Sequence, residues 1–240
     1  MDIIRFVSLF EGKFINSPIM HLAGIPPLNR LARKLLDPCP RVLGMASYKK
    51  LLLLRQVVSL LPGDSSECYL EVGTYQGKSL VAALRGNRGR LAVACDDFSQ
   101  FDADGSNRTT LKLNLQAYGL SDQVKFYDTD FRKLFAKWHD EALPKIGAYF
   151  YDGAHDRLSQ YDAIRLVEPL LADQAVVIVD DWRFAEDSGS YAEEGTKMAV
   201  TESSNLWTVL RILPARYNGD RDQWWNGLGI LGFARRPRAQ

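Results

Sequence analysis

The chain has 240 residues, and its 30 lysines and arginines against 29 aspartates and glutamates give a formal net charge of +1. With 46% hydrophobic and 25% charged residues, the composition is that of a folded globular protein and excludes a disordered, collagen-like or coiled-coil chain. The near-neutral balance gives no overall attraction to nucleic acid or to an anionic membrane surface, so we expect no nucleic-acid partner.

The cysteines and the apolar runs indicate the compartment. Cys39, Cys68 and Cys95 are too few and too scattered for a disulfide or zinc framework, so we expect a reducing compartment, the cytoplasm. No apolar run reaches the roughly 18 residues that a membrane-spanning helix needs. The N-terminal stretch lacks the small-residue cleavage site of a signal peptide, so we expect neither a secretion signal nor a membrane span.

The first part of the chain differs in pattern from the rest. Because prolines recur along residues 1–46, we expect a helical extension that is broken into short pieces. Three roles stay open for it: packing against the main domain, a lid over a substrate, or a contact between the subunits of a homodimer. Residues 47–240 are then predicted to form one main domain.

In the main domain, apolar strand-like runs alternate with helix-like stretches. An apolar helical pattern over 47–61 comes first, and the strand-like runs that follow are 68–72, 91–95, 124–127, 146–151 and 175–179. The helix-like stretches between them are 78–85, 107–118, 131–138 and 157–171. Continuous apolar strands of this kind predict a parallel sheet that helices cover on both faces.

The end of the chain breaks this alternation. Two strand-like runs, 207–213 and 228–234, are joined by a polar segment that has no room for a crossover helix, so they should pair antiparallel. The predicted fold class is therefore α/β, a doubly wound and mostly parallel seven-stranded sheet with an antiparallel terminal hairpin. This topology resembles the Rossmann-like fold of the class I S-adenosylmethionine-dependent methyltransferases.

A glycine-containing segment, EVGTYQGKS at 71–79, follows the first strand and opens a helix. Its end, Gly77-Lys78-Ser79, resembles the tail of a phosphate-binding Walker A loop, which would indicate a P-loop NTPase. That loop needs four residues between its glycines, whereas Gly73 and Gly77 enclose three. The spacing therefore disfavours a phosphate site, and a purely structural turn stays open beside it.

The same segment, in the form E-x-G-x-x-x-G, resembles motif I of class I methyltransferases. The resemblance implies that the loop faces the amino-acid part of S-adenosylmethionine and that its acid lies near the cofactor's ammonium or a neighbouring backbone group. The candidate cofactor-binding residues of this segment are Glu71, Gly73, Thr74, Tyr75, Gly77 and Ser79.

Further cofactor contacts are predicted after the second and third strands. Asp96 follows the second strand about 20 residues beyond the glycine loop, where an acid can accept both hydroxyls of a ribose. Phe98 is expected against the adenine, while Asp97 is either a cofactor contact or a helix-capping or solvated acid. Thr129 and Asp130 follow the third strand, where the family resemblance implies adenine contacts.

Four polar side chains follow the fourth and fifth strands: Asp152 and His155, then Asp180 and Asp181. Because the carboxyl ends of neighbouring parallel strands share one edge, we expect the three carboxylates to converge beside the cofactor. Three like charges need compensation, and hard oxygen ligands suit Mg²⁺, Mn²⁺ or Ca²⁺. A metal site is one interpretation. In the others, Asp180 caps a loop, Asp181 is solvated, and Asp152 binds the cofactor's ammonium directly.

These acids resemble those of metal-dependent O-methyltransferases of the catechol and caffeoyl-CoA type, and more closely those of the macrocin-type methyltransferase family 24. Asp152 matches the first metal ligand, and Asp180-Asp181 match the acidic pair. The catechol type has a lysine base three residues after the first aspartate, where this chain has His155. A histidine is a suitable base at neutral pH, but a ligand, substrate-contact or structural role stays open.

The resemblance implies an S-adenosylmethionine-dependent O-methyltransferase that uses Mg²⁺ and acts on a small-molecule hydroxyl or diol, with Asp152 and His155 at the catalytic centre. A metal-independent methyltransferase, a P-loop-like NTPase and a non-catalytic cofactor-binding subunit are the alternatives. The polar segment 183–195 is long enough to be a lid. Four aromatic residues could wall the substrate or belong to the core: Trp182, Tyr191, Trp224 and Trp225.

Overall fold

The computed structural model describes residues 1–23, 25, 28–182 and 190–237. The strands of its sheet are β1 (Glu67–Val72), β2 (Ala92–Cys95), β3 (Val124–Tyr127), β4 (Lys145–Tyr151), β5 (Leu171–Asp180), β6 (Leu206–Leu213) and β7 (Leu228–Ala234). The α-helices of the described residues are α1 (Ile3–Phe10), α2 (Pro18–Ala23), α3 (Leu28–Leu36), α4 (Tyr48–Ser59), α5 (Lys78–Leu84), α6 (Asn107–Ala117), α7 (Phe131–Lys137), α8 (Arg157–Arg165) and α9 (Tyr191–Thr201).

The seven strands lie in the order β3-β2-β1-β4-β5-β7-β6. Strands β1 to β5 pair parallel, whereas β7 runs antiparallel to both β5 and β6. The prediction of a mostly parallel sheet with an antiparallel terminal hairpin is confirmed. The strand order reverses between β1 and β4, and this is where an α/β sheet opens a ligand crevice at its carboxyl ends.

Successive side chains of each strand enter two separate cores. On one face, Tyr69 of β1 packs with α4, α5 and the N-terminal helices, and on the other face Leu70 packs with α7 and α8. Both faces of β1, β2 and β4 are buried, and apart from Glu67, the buried Glu71 and the exposed Lys145 these strands carry no charged residues. The carboxyl edge is then where the chain can place polar side chains.

Helix α4 lies against β4 and the carboxyl edge, although its sequence includes two lysines. The Oγ atom of Ser47 caps the helix by accepting the amide N–H of Lys50 at 3.2 Å. Lys49 and Lys50 are both buried, which the amphipathic pattern does not predict for lysines at the start of a helix. The helix therefore carries two ammonium groups into the body of the protein.

The N-terminal helices are part of the first core. Phe10 and Phe14 pack against Trp224, with ring centroids 6.4 and 5.7 Å apart, and the N-terminal ammonium of Met1 binds the carboxylate of Glu67 at 2.8 Å. A packing role is therefore visible for this extension, whereas its lid and dimer roles stay predictions, as does the boundary at residue 46. In the part of the chain that the structure describes, no helix is long and apolar enough to cross a bilayer.

Helix α9 is absent from the sequence-based expectation. The polar segment 183–195 was expected to be a lid loop, but its last five residues, 191–195, are helical. Ser190 caps the helix by accepting the N–H of Glu193 at 3.1 Å, and Gly195 lies so close to α8 that a Cβ atom there would be 2.6 Å from the carbonyl oxygen of Arg157. The absence of a side chain at Gly195 therefore permits the close packing of α9 on α8. The rest of the predicted lid, 183–189, lies outside the described residues.

Candidate active site

A cavity of about 630 Å³ opens at the carboxyl ends of β1, β2, β4 and β5. This size suits a small ligand or a cofactor with its substrate. Ten of the predicted site residues line it: Gly73, Tyr75, Asp96, Asp97, Thr129, Asp130, Asp152, His155, Asp180 and Asp181. The other predicted residues are not part of this lining, and they are Glu71, Thr74, Gly77, Ser79 and Phe98.

Backbone strain concentrates at this cavity. Four of its non-glycine lining residues have positive φ angles, and they are Tyr75 (48°), Phe101 (56°), Asp181 (54°) and Trp225 (62°). L-residues adopt this left-handed conformation at a cost that surrounding contacts must offset, and such residues cluster at functional sites. The strain supports the assignment of this cavity as the functional site.

Gly73 is required by the fold itself. Its φ angle is +84°, and a Cβ atom at this position would lie 1.9 Å from the carbonyl oxygen of Asp152. The amide of Asp152 also donates to the carbonyl of Val72 at 2.9 Å, so the ends of β1 and β4 meet at this point. The glycine therefore brings Asp152 next to the loop, in addition to any approach that it allows to a ligand.

Asp96 holds the glycine loop in place. Its Oδ2 accepts the amide N–H groups of Thr74 at 2.8 Å and Tyr75 at 2.7 Å, and its Oδ1 accepts the N–H of Phe98 at 2.8 Å. Burial raises the pKa of Asp96 above its usual value, although the three amides act in the opposite direction. The carboxylate lines the cavity at the end of β2, the position predicted for a ribose contact.

Glu71 lies beneath the loop and is completely buried. Its Oε2 accepts the hydroxyl of Tyr69 at 2.6 Å, and its Oε1 accepts the hydroxyl of Ser79 at 2.7 Å. Burial raises the pKa of Glu71 to about 7. The sequence suggested the cofactor's ammonium or a backbone group as its neighbour, whereas the structure pairs it with two hydroxyls and joins β1 to the start of α5.

On the predicted adenine side, the side chains have structural partners of their own. The ring of Phe98 packs against Phe126 with centroids 5.9 Å apart. Asp97 accepts the amide of Ser99 at 2.9 Å, and Asp130 caps α7 by accepting the amide of Arg132 at 2.8 Å. Asp97 and Asp130 therefore line the cavity and also hold the backbone next to them by hydrogen bonds.

We call Asp152, Asp180 and Asp181 the acidic edge. The Oδ2 atom of Asp181 lies 3.0 Å from Nδ1 of His155. Asp152, His155 and Asp181 each offer a possible ligand atom, and these atoms all lie within 4.8 Å of one another. The hydrogen bond to Asp181 raises the pKa of His155; burial would raise the pKa of Asp181, but His155 holds it below its usual value.

Lys50, which the sequence did not single out, occupies the inner side of the acidic edge. Its ammonium binds the carboxylate of Asp180 directly and lies 3.9 Å from Oδ2 of Asp152. The Lys50 side chain is only 1% exposed. Burial acts to lower its pKa, but the two carboxylates raise it above the ordinary lysine value, so Lys50 is charged. The only sequence signal was a pair of lysines at the start of an otherwise apolar helix.

The residues of the acidic edge fit a divalent cation. Burial and the charge of Asp180 raise the pKa of Asp152 well above its usual value, so a nearby positive charge would favour its ionised form. The second oxygen of Asp180, Oδ1, is buried and has no hydrogen-bond donor among the described protein groups. Carboxylate oxygens with a neighbouring imidazole match the donors that Mg²⁺, Mn²⁺ and similar ions take.

The aromatic residues proposed as substrate walls divide between core and cavity. Trp225 lines the cavity. Trp182 is fully buried, and its indole fills the space above Gly229, where a Cβ atom would be 2.1 Å from the ring. Trp224 packs on the N-terminal helices, and Tyr191 is exposed on α9. Trp225 is therefore the member of this group with access to a ligand.

The lysine of the Walker-like segment does not serve a phosphate site in this structure. The Nζ atom of Lys78 binds Asp37 at 2.9 Å and donates to the carbonyl of Val42 at 2.9 Å. Both partners belong to the N-terminal segment, and Lys78 is not part of the cavity lining. Its role is to fasten that segment to α5, which removes the main support for a P-loop interpretation.

Comparisons with known proteins agree with this geometry. The profile of methyltransferase family 24, a methyltransferase domain, matches residues 70–182. The O-methyltransferase TomG from Streptomyces achromogenes, involved in tomaymycin synthesis and solved with S-adenosylmethionine, has a TM-score of 0.59 and 15% identity over 98% of this chain and 100% of its own. An O-methyltransferase from Bacillus cereus, solved with S-adenosylhomocysteine, has a TM-score of 0.58 and 14% identity over 96% and 97%. At identities this low, the similarity to these two structures shows a shared fold. A separate comparison with curated protein sequences found no match.

Proposed function

We propose that this chain, an S-adenosylmethionine-dependent methyltransferase whose residues 70–182 form a methyltransferase domain of family 24, is a divalent-metal-dependent O-methyltransferase of small-molecule hydroxyls. The observation that carries the proposal is the pairing of His155 with Asp181 beside Asp152, in the same cavity as the glycine loop. A base and a set of cation ligands thus adjoin the predicted cofactor site.

In this proposal the cofactor lies across the carboxyl ends of β1 and β2. The glycine loop, held by Asp96, faces the amino-acid part, and Asp96 accepts the ribose hydroxyls with its remaining lone pairs. Asp97, Thr129 and Asp130 line the adenine side, and Phe98 packs on Phe126 outside this lining. Because Asp96 already fixes the loop amides, the loop needs little reorganisation when the cofactor binds.

His155 is the proposed base. With Nδ1–H donated to Asp181, the lone pair of Nε2 is the atom that accepts the proton of the substrate hydroxyl. Asp181 orients the imidazole and stabilises its protonated form. The substrate oxygen then attacks the methyl carbon, the carbon–sulfur bond breaks, and its electron pair stays on sulfur, so that S-adenosylhomocysteine leaves as a neutral thioether.

Asp152 and Asp181, with Asp180 behind them, would hold the divalent cation. When bound, such an ion supplies Lewis-acid stabilisation of a hydroxyl that is losing its proton, and two vicinal hydroxyls suit it best. Trp225 and Asn226 line the cavity beside these acids and limit the space left for the acceptor. A small phenol, catechol or sugar diol is therefore the proposed class of substrate.

The test is methyl transfer from radiolabelled S-adenosylmethionine to a panel of catechols, phenols and sugar diols, with added Mg²⁺ or with EDTA. We expect transfer to at least one hydroxyl acceptor, with loss in EDTA and recovery on adding Mg²⁺. Transfer that is equally fast in EDTA would instead support a metal-independent methyltransferase, for which the resident ammonium of Lys50 is the favouring observation.

A further inference from the structure

The ammonium of Lys50 is held at one place in the acidic edge. Besides binding Asp180, its Nζ lies 3.5 Å from the carbonyl oxygen of Met45 and 5.7 Å from the centre of the Phe150 ring. The lysine stem is buried along α4, whose first turn is fixed by the Ser47 cap. A buried side chain with these contacts cannot withdraw into solvent, so its charge stays beside the carboxylates.

The charge of the acidic edge depends on this lysine. With all three carboxylates ionised, as when they ligate a cation, and with His155 neutral, the three carboxylates and the one ammonium carry two negative charges in total. One divalent cation neutralises a site with two negative charges. Without Lys50 the site would carry three negative charges before the cation binds. Buried charges are stable only when they are compensated, so a balance of this kind favours a specific, reversible ion site.

We propose that Lys50 is a built-in counter-ion that holds Asp180 in place and lowers the affinity of the acidic edge for divalent cations. The inference rests on the proposed function, because the cation belongs to it. Lys50 is a positioning residue, since it is not part of the cavity lining and acts through Asp180 and Asp152. A positive charge this close to a divalent ion opposes its binding strongly in a buried site.

The chain offers a matched control in the preceding residue. Lys49 is also buried and lies on the same helix, but its Nζ donates to Oε1 of Gln223 at 2.8 Å and lies 6.0 Å from the Trp224 ring centre. Replacing Lys49 therefore removes a buried ammonium without changing the charge of the acidic edge. Lys50→Arg provides the second control, because it keeps the charge.

The experiment is titration of Mn²⁺, followed by the electron paramagnetic resonance signal of the free ion, which reports binding without turnover. The proteins are the wild type, Lys50→Met, Lys50→Arg and Lys49→Met, each shown to be folded by its melting temperature. We expect Lys50→Met to bind Mn²⁺ more tightly by about tenfold or more. Lys49→Met and Lys50→Arg should stay within about twofold of the wild type.

A second pair of variants removes Lys50 together with the charge of its direct partner Asp180, in case Lys50→Met does not fold. Asp180→Asn alone should weaken Mn²⁺ binding by about tenfold or more, because the edge loses a negative charge. The double variant Lys50→Met with Asp180→Asn has the charge of the wild type and should recover most of that affinity. Equal affinities of the single and double variants would overturn the inference.

The outcomes separate this inference from the proposed function. If the wild type binds Mn²⁺ but Lys50→Met, when folded, binds it equally or more weakly, Lys50 is not an opposing counter-ion and the inference alone fails. If the wild type binds no Mn²⁺ but Lys50→Met does, the proposed metal dependence fails and the role of Lys50 is supported. If neither binds Mn²⁺, both are wrong.

Discussion

The neighbouring acids Asp180 and Asp181 bind different side chains. Asp180 binds the buried ammonium of Lys50, and Asp181 turns the other way, with a φ angle of 54°, to place its Oδ2 3.0 Å from Nδ1 of His155. The same pair of carboxylates therefore serves an internal charge on one side and a proposed base on the other. Their roles should separate when each is changed.

The proposed base gives the first prediction. His155→Gln should lower kcat by about 10²- to 10⁴-fold, since it removes the proton acceptor, and should leave the affinity for S-adenosylhomocysteine within about twofold. Asp181→Asn should also lower kcat, because the imidazole loses its orienting acceptor. Turnover assays measure kcat, and calorimetric titration of the same preparations measures the affinity for S-adenosylhomocysteine. Full activity in His155→Gln would assign the base elsewhere.

The second prediction concerns the cofactor. Asp96→Ala removes the acceptor of two loop amides as well as the proposed ribose contact, so the affinity for S-adenosylmethionine should fall by about 100-fold or more. Asp97→Ala is the matched control on the adjacent acid, whose carboxylate accepts only the Ser99 amide among the described hydrogen bonds, and it should lose less than about tenfold. Calorimetry measures both, and a larger loss in Asp97→Ala would reverse the assignment.

A third prediction tests the approach of β1 to β4. Gly73→Ala should lower the free energy of unfolding by about 3 kcal/mol or more, because its methyl group would overlap the Asp152 carbonyl. Gly89→Ala is the control for backbone conformation alone, since its φ angle is +76° and nothing lies within 4 Å of its added Cβ. It should cost about 1 kcal/mol. Urea unfolding measures the loss of unfolding free energy in both variants. Equal losses would mean that the positive φ angle, rather than the close approach of Asp152, requires glycine at position 73.

The buried carboxyl of Glu71 predicts a dependence of stability on pH. Its pKa rises from 4.5 to about 7 on folding, so the folded state holds a proton that the unfolded state has lost in this interval. Its contribution to stability is present below pH 4.5 and is lost as the pH rises to about 7. The unfolding free energy of the wild type minus that of Glu71→Gln should fall by about 3 kcal/mol over this range.

Urea unfolding of the two proteins at a series of pH values measures this difference. The comparison with Glu71→Gln cancels the titration of the groups that do not interact with Glu71, since the two chains differ in one side chain. A pH-independent difference would mean that Glu71 titrates alike in the folded and unfolded protein, and that the hydroxyls of Tyr69 and Ser79 hold it ionised despite its burial.

Most of the fold could be predicted because the signals are local. The apolar runs that became β1, β2, β4 and β5 are strands that are largely buried on both faces. The polar link before Leu228 excluded a crossover helix. The convergence of the acidic edge follows from the same topology, since the carboxyl ends of parallel strands share an edge. These predictions needed only the order of elements along the chain.

Lys50 and helix α9 could not be predicted in this way. A lysine at the start of a helix is normally solvated, and only the packing of α4 against the sheet brings its ammonium to Asp180, 130 residues away in sequence. The polar segment 183–195 was expected to be a loop, because the close contact of Gly195 with α8 joins segments that are distant in sequence. Both depend on contacts between distant segments, which a local pattern does not contain.

The most direct measurement is calorimetric titration of the wild-type protein with S-adenosylmethionine and with S-adenosylhomocysteine, in the presence and absence of Mg²⁺. We predict that both ligands bind with one site per chain, and that Asp96→Ala weakens both. We also predict that Asp180→Ala spares this binding while it abolishes methyl transfer. If neither ligand binds to the wild type under any of these conditions, the chain is not an S-adenosylmethionine-dependent methyltransferase and its function lies elsewhere.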